Sequence, residues 1–290
     1  MRPKVVVLYT VLILIWSTTW MVLKISLEGT PPILGVALRF AMSAAILWAV
    51  FLQRGEKLVL TPTALKVYVG FGALNFASSY SLTYWGTQFI YSGLSAVLWA
   101  TLPILVAFLA HFMLPDDPLT PKKTAGIVAA LGGTTLIFAQ GGVSPETFKP
   151  IGVAAVWLAV ALAAWPNVYY KRHQKDIPSF HVNVVAQTLA AGLLLPLSFL
   201  LEEPGAMEWN LVNISALFYL TIFGTIITWS IYLWLFSQIT VTQITAVALV
   251  PPLMASFLGW LFLGERFTPT MIGGSILVLV GVFVVNMQQR

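Results

Sequence analysis

The sequence contains no cysteine and very little charge, and each absence excludes a class of protein. Without cysteine the chain forms no disulfide and offers no thiolate to a metal ion. Charged residues make up only 9% of the 290 residues, whereas a soluble domain carries roughly a quarter. Hydrophobic residues make up 59%, and the mean hydropathy is +0.89. The composition therefore indicates a protein that lies within a lipid bilayer.

Long polar stretches are also absent, which leaves no room for a soluble domain. Ten apolar runs of about 20 residues each are long enough to cross a hydrocarbon core of roughly 30 Å. The sequence thus predicts an all-α polytopic membrane protein with ten transmembrane helices. We place them at 5–27, 32–53, 64–86, 93–114, 122–140, 150–171, 180–201, 211–235, 243–263 and 269–287.

No Asp or Glu lies inside any of the ten runs, and this absence bears on mechanism. Proton-driven pumps commonly use carboxylates at membrane depth, so carboxylate-based proton antiport is not expected. Acid–base and metal-assisted chemistry at membrane depth lack their usual groups as well. We expect no enzyme activity, no cofactor and no metal site.

The two halves of the chain resemble each other at a fixed offset of 148 residues. This predicts two five-helix domains, 1–143 and 149–290. Because five is odd, the second copy crosses the bilayer upside down relative to the first, and such inverted repeats are common in alternating-access transporters. The matching pairs are Lys24 with Arg172, Tyr84 with Tyr232, Pro103 with Pro251, Asp117 with Glu265, Gly126 with Gly274, and Gly133 with Gly281.

Lys and Arg are distributed unevenly between the two sides of this topology. The side that holds both termini carries eleven of them, and the other side carries only Lys24, Lys149 and Arg266. Cytoplasmic loops are enriched in Lys and Arg, so the count predicts that both termini are cytoplasmic. The net charge of +5 then suits anionic lipid headgroups rather than nucleic acid.

Polar and aromatic residues recur at helical spacing on five of the predicted helices. A purely structural explanation is open, because Ser and Thr hydrogen-bond between membrane helices and Trp and Tyr concentrate at interfaces. Several of the Trp residues lie deeper than that interface, so we expect the stripes to line one central, aromatic and nearly uncharged chamber. The expected substrate-binding residues are Trp16, Trp20, Asn75, Ser79, Tyr80, Tyr84, Trp99, Trp165, Asn167, Tyr169, Thr225, Trp229, Tyr232 and Thr245.

Arg39 and the helix prolines are the remaining candidates for function. Two interpretations of Arg39 stay open: it binds a substrate carboxylate, or it snorkels to the interface or caps carbonyls of a neighbouring helix. Pro103 and Pro251 occupy equivalent positions in the two halves. Together with Pro166 and Pro252 they are expected hinges, although each could equally be a static kink.

Three motifs carry a resemblance to a known family: Trp16-Ser-Thr-Thr-Trp20, Leu38-Arg39-Phe40, and Leu263-Gly264-Glu265-Arg266-Phe267-Thr268-Pro269. On these the chain resembles the ten-helix EamA-type branch of the drug/metabolite transporter superfamily. The resemblance implies two inverted repeats, a cavity built mostly from helices 1, 3, 4, 6, 8 and 9, and export from the cytoplasm. The aromatic cavity is most similar to that of aromatic amino acid exporters.

We therefore predict a multi-pass transporter of the bacterial inner membrane that exports amino acids, aromatic or otherwise apolar, and related small metabolites. The alternative is an exporter of drugs and other lipophilic solutes, which would ordinarily need an acid within the membrane. The expected partners are a small-molecule substrate and the lipid bilayer. A monomer is sufficient in principle, and a dimer is compatible with the sequence.

Overall fold

The computed structural model describes residues 3–114, 120–138, 149–239, 244, 247 and 251–286. Ten helices are described in these ranges, and six of them are long and apolar enough to span a membrane by length and composition. The predicted fold class, an all-α polytopic membrane protein, is confirmed. The helices are α1 (Pro3–Ser26), α2 (Pro32–Arg54), α3 (Pro62–Val69, Gly70–Ser79 and Tyr80–Thr87), α4 (Ser92–Trp99 and Leu102–Met113), α5 (Pro121–Phe138), α6 (Pro150–His173), α7 (Ser179–Leu201), α8 (Leu211–Thr221, Ile222–Ile227 and Thr228–Leu235), α9 (Pro251–Leu263) and α10 (Pro269–Asn286).

Proline and glycine mark many of the helix ends. Helices α2, α3, α5, α6 and α10 begin at proline, whose missing N–H has no intrahelical partner to lose in the first turn. Helix α2 ends at Gly55, and Gly264 follows the end of α9. Both glycines have a left-handed backbone, with φ of 62° and 65°, which a side chain would disfavour.

The third helix of each repeat contains a π-helical segment, which the sequence analysis did not predict. It spans Gly70–Ser79 in α3 and Ile222–Ile227 in α8. The hydroxyl of Thr225 donates to the carbonyl of Leu220, five residues earlier, which is the spacing of this wider helix. The two segments occupy equivalent stretches of the repeats, so the third helix of each repeat widens at an equivalent position.

Helix packing follows the internal repeat. Helix α2 packs against α7 and α5 packs against α10, while the contact of α4 with α6 is matched by that of α9 with α1. The α5–α10 contact is reciprocal at the level of single residues. Gly133 lies against the backbone of Gly274, and Gly281 lies against the backbone of Gly126. These glycines form a close helix seam, as small residues do between membrane helices.

In each repeat, a partly buried lysine of the first helix bonds to carbonyls at the end of the third helix, and we call these two contacts the lysine corners. The Nζ of Lys24 in α1 donates to the carbonyl of Thr87, the last residue of α3, at 2.6 Å and to that of Ile90, just after α3, at 2.9 Å. The Nζ of Lys171 in α6 donates to the carbonyl of Phe236, just after α8, at 2.7 Å. The offset of 148 pairs Lys24 with Arg172, but the equivalent contact belongs to the preceding residue.

Carboxylates from loops cap two helix starts. Glu202, after α7, accepts from the backbone N–H groups of Ile33 and Leu34 at the start of α2, each at 2.8 Å. Glu265, between α9 and α10, accepts from the N–H groups of Ser92 and Gly93 at the start of α4. Negative charge is favourable at a helix N-terminus, so both acids tie distant helices together.

Candidate functional site

A central cavity lies between the two repeats, with a volume of about 110 Å³. One water needs roughly 10–15 Å³ on the same measure, so the cavity is large enough for a small solute. Helices α1, α2, α3, α4, α8 and α9 all contribute to its wall. The lining residues are Trp16, Thr19, Trp20, Leu23, Arg39, Tyr80, Thr83, Tyr84, Ala96, Trp99, Ala100, Leu102, Pro103, Gly224, Trp229, Tyr232, Val247 and Pro251.

Aromatic rings from both repeats meet in this wall. Trp16 of α1 lies 6.3 Å from Trp229 and 5.4 Å from Tyr232 of α8, between ring centroids. The indole N–H of Trp229 donates to the hydroxyl of Tyr80 at 2.7 Å, which fixes both rings. On the other side, Trp20 lies 6.4 Å from Trp99. The cavity therefore presents tilted and edge-to-face rings, held by hydrogen bonds and mutual packing.

Arg39 is the charged residue among the described lining residues, and its side chain is only 3% exposed. Its Nε donates to the hydroxyl of Thr225, its Nη1 to the hydroxyl of Tyr84 at 2.9 Å, and its Nη2 to the carbonyl of Gly224. The guanidinium also lies over the ring of Tyr80, 5.1 Å from its centroid. It thus caps a carbonyl of a neighbouring helix and faces the cavity at the same time.

The structure brings seven of the predicted substrate-binding residues into the cavity wall. They are Trp16, Trp20, Tyr80, Tyr84, Trp99, Trp229 and Tyr232. Thr225 lies behind the wall, where it accepts from Arg39. Thr245 lies outside the described residues.

The other predicted binding residues lie in helix contacts rather than in the cavity wall. Ser79 donates to the carbonyl of Ala159 in α6, and Asn75 is fully buried in the π segment of α3. Trp165 and Tyr169 stack with centroids 4.9 Å apart, and Trp165 packs on Gly70.

Asn167 acts through another residue. Its Oδ1 accepts from the hydroxyl of Tyr232 at 2.9 Å, and its amide donates to the carbonyl of Ala163. Asn167 therefore supports a cavity residue from the outside. It shares this arrangement with Thr225, which supports Arg39.

The predicted hinges divide into two groups. Pro103 and Pro251 line the cavity, and Pro103 follows a break between the two segments of α4 at Ala100 and Thr101. Pro166 lies inside an unbroken α6, and Pro252 lies in the first turn of α9, both buried outside the wall.

Several lining residues are not among the predicted binding residues. Thr19 and Thr83 share stripes with predicted residues, so their helical spacing could have identified them. Ala96, Leu102 and Gly224 carry no polar or aromatic signal, and only the packing places them at the cavity.

The model of the EamA-like transporter family matches residues 4–139 and 150–287. The chain belongs to this family. It is therefore a membrane transporter with two EamA repeats, not an enzyme, and the match extends over nearly all of both halves.

Curated relatives of this EamA-like transporter agree with that assignment. It is 29% identical to the uncharacterized transporter YoaV of Bacillus subtilis, over 93% of this chain and 92% of the relative. It is 28% identical to the uncharacterized inner membrane transporter YedA of Escherichia coli K12, over 89% and 82%. The protein is thus a multi-pass membrane protein, as predicted, and its relative YedA is an inner membrane transporter.

A third relative carries a substrate in its name. The S-adenosylmethionine/S-adenosylhomocysteine transporter of Chlamydia trachomatis serovar L2 is 26% identical, over 89% of this chain and 81% of the relative. Among solved structures, a crystal structure superposes with a TM-score of 0.71 at 20% identity, over 98% of each chain, and supports the fold.

Proposed function

We propose that this protein exports amino acids, aromatic or otherwise apolar, and related small metabolites by alternating access through the aromatic cavity. The observation that carries the proposal is the cavity wall, which combines hydroxyl groups with seven Trp and Tyr rings, those of Trp16, Trp20, Tyr80, Tyr84, Trp99, Trp229 and Tyr232. Such rings stack on apolar side chains and attract an ammonium group, while the hydroxyls bind polar ends.

An exporter of lipophilic cations is the alternative, and the wall argues against it. Among the described lining residues there is no Asp or Glu, and the buried charge is the cation Arg39. A cationic solute would meet repulsion without a compensating carboxylate. A phosphorylated solute would need several cations at this depth, and the described wall offers one.

The named substrate of one relative is consistent with this substrate class. S-adenosylhomocysteine, one of the two solutes in that name, is a net-neutral amino acid with an adenine ring, and it belongs to the chlamydial transporter rather than to this chain. An amino acid with an aromatic or apolar side chain shares its zwitterionic end.

We place the moving parts at the cavity prolines. Pro103 follows the break in α4, and Pro251 begins the described part of α9 at the equivalent position. A proline removes a backbone hydrogen bond, which lowers the cost of bending there. Pro166 and Pro252 would support this motion from outside the wall. One chain supplies the whole cavity, so we expect a monomer to transport.

Counter-flow in proteoliposomes tests the function directly. Vesicles preloaded with one unlabelled amino acid should accumulate labelled phenylalanine, tryptophan or leucine without an imposed proton gradient. Vesicles without protein give the background. Absence of counter-flow for every amino acid of the panel, with transport of a lipophilic cation instead, would contradict the proposal. A requirement for a proton gradient would contradict the expected coupling.

The proposed orientation, with both termini in the cytoplasm, has a separate test. Because the natural chain has no cysteine, single cysteines at Lys57 and at Trp209 report their side without background labelling. In intact cells a membrane-impermeant maleimide should label the cysteine at 209 and not the one at 57. The reverse pattern would invert the topology.

A further inference from the structure

We infer that Arg39 is the docking point for the carboxylate of the transported solute, and that it makes the transporter selective for carboxylates over amides and amines. The inference rests on the proposed function in one respect, that the central cavity is the substrate site. It adds which group binds which end of the solute, and which class of solute is rejected.

The first argument is charge. The Arg39 side chain is 3% exposed, and the ion pairs among the described residues all involve Glu56 rather than Arg39. A guanidinium stays protonated at any working pH, so the cavity holds a fixed positive charge. Coulomb attraction is strong in such a low-dielectric site, and a carboxylate is the solute group that balances the charge.

The second argument is hydrogen-bond capacity. A guanidinium has five N–H donors, and three of those on Arg39 are engaged by Thr225, Tyr84 and Gly224. Two donors therefore remain, one on each terminal nitrogen. Carboxylates accept pairs of N–H groups from arginine, which adds geometric selectivity to the charge.

The third argument is rigidity. The three partners come from α3 and from the π segment of α8, and the ring of Tyr80 lies under the guanidinium at 5.1 Å. The side chain is therefore held at the wall and pays little ordering entropy on binding. The aromatic rings of Trp16, Trp229 and Tyr232 line the same cavity, where an ammonium or an apolar side chain of the solute fits.

Three probes separate the ends of the solute: L-phenylalanine, L-phenylalaninamide and 3-phenylpropionate. Binding to the purified full-length protein is measured by quenching of tryptophan fluorescence, since the cavity is rich in Trp. The wild type should bind the two acids at least tenfold more tightly than the amide. Arg39→Gln should lose roughly 10- to 100-fold in affinity for the acids and little for the amide, as expected for a charged hydrogen bond.

A conservative variant guards against misfolding, because Arg39→Gln also gives up its three partners. Arg39→Lys keeps the positive charge and loses the paired N–H donors of the guanidinium. Its preference for acid over amide should therefore persist but fall below that of the wild type. Gel filtration and thermal unfolding report whether each variant is folded. An acid-to-amide ratio equal to that of the wild type in folded Arg39→Gln would overturn the inference, and an equal ratio in Arg39→Lys alone would overturn only the argument from paired N–H donors.

Other outcomes distinguish this inference from the proposed function. If the wild type binds L-phenylalaninamide as tightly as L-phenylalanine, the role of Arg39 is overturned, whereas amino acid export is not. Arg39-dependent binding of 3-phenylpropionate, with neither binding nor counter-flow of any amino acid, would support the role of Arg39. That result would refute amino acid export.

Discussion

The two repeats share a backbone plan and differ in most of the side chains that face the cavity, with Tyr84 and Tyr232 as a shared pair. Both have a π segment in their third helix, at Gly70–Ser79 and Ile222–Ile227, and both have a lysine that ties the end of the third helix to the first. In contrast, Arg39 in the first repeat has Gln187 as its counterpart 148 residues later. The shared features set the packing, and the unshared ones set the chemistry.

The Arg39–Gln187 comparison shows how one position serves two purposes. Arg39 faces the cavity and holds a charge there. Gln187 is fully buried between helices, where its amide donates to Asn183 and its oxygen accepts from Ser43. The positive charge of the cavity wall thus lies on the side of the first repeat, although the surrounding helices are arranged symmetrically.

The α5–α10 seam is where substitution should have the largest effect. Gly281→Leu would drive a side chain into the backbone of Gly126 and Ala130. We expect overpacking of about 3 kcal/mol or more and a fall in melting temperature of roughly 6–12 °C, or failure to fold. Thermal unfolding in detergent and gel filtration measure this.

Gly273→Leu is the matched control, since it lies on the same helix and faces open space. It should behave like the wild type. Leucine is a better helix former than glycine, so equal damage by both substitutions would mean that the close seam does not determine the effect.

A comparison of two tryptophans should give the next largest effect. Trp16 and Trp165 lie at nearly equivalent positions of α1 and α6, but Trp16 lines the cavity and Trp165 stacks on Tyr169. Trp16→Ala should weaken phenylalanine binding about tenfold, because an aromatic contact and its buried area are lost. Trp165→Ala should change the affinity for phenylalanine by less than about twofold. Its main effect should be a lower melting temperature.

Both variants are measured by tryptophan-fluorescence quenching and thermal unfolding. The opposite order of affinities would move the substrate site from this cavity to the face of α6. Such a result would also restore the sequence-based expectation for Trp165 as a binding residue.

Substitution at the two lysine corners should lower stability by similar amounts, with a smaller effect than the substitutions above. Lys24→Met and Lys171→Met each remove charged hydrogen bonds to helix-end carbonyls, worth about 1.5–3 kcal/mol. Each should lower the melting temperature by roughly 3–12 °C. Lys57→Met, at an exposed loop position, is the control and should have no effect. A large fall for one corner only would show that the repeats are not energetically equivalent.

The sequence was sufficient for the large-scale plan of the molecule. Apolar length predicted the ten helices, and the offset of 148 predicted the two repeats, because both depend on composition and spacing. The predicted counterpart of Lys24, Arg172, was off by one residue from the observed one, Lys171. A repeat alignment without gaps does not detect such a local shift.

The sequence was less informative about the faces of helices. A stripe on α8 drawn at 3.6 residues per turn placed Thr225 with Trp229 and Tyr232, but the π segment widens the helix and moves Thr225 behind Arg39. Asn167 and Trp165 were predicted as lining by the same geometry, and they lie against other helices. Periodicity identifies a polar face, and only packing decides what that face meets.

The two acids that cap helix starts, Glu202 and Glu265, should show the smallest effect on stability, and a specific one. Burial raises the pKa of Glu265 above its usual range, against the opposing effect of the N–H groups of Ser92 and Gly93 and the charge of Lys24. The folded state therefore binds a proton more tightly than the unfolded state. Stability should fall as pH rises from about the unfolded pKa of a glutamate, 4.5, toward the folded value.

Glu265→Gln should abolish this fall, because the amide does not ionise, whereas Glu202→Gln removes the equivalent cap of α2 and should leave the fall in place. Melting temperatures of the wild type and both variants between pH 4.5 and neutrality test this, with an expected difference of a few degrees at about 2–4 °C per kcal/mol. If the pH dependence survives in Glu265→Gln, another group is responsible for it. If it vanishes in Glu202→Gln as well, the two caps are coupled through α2 and α4.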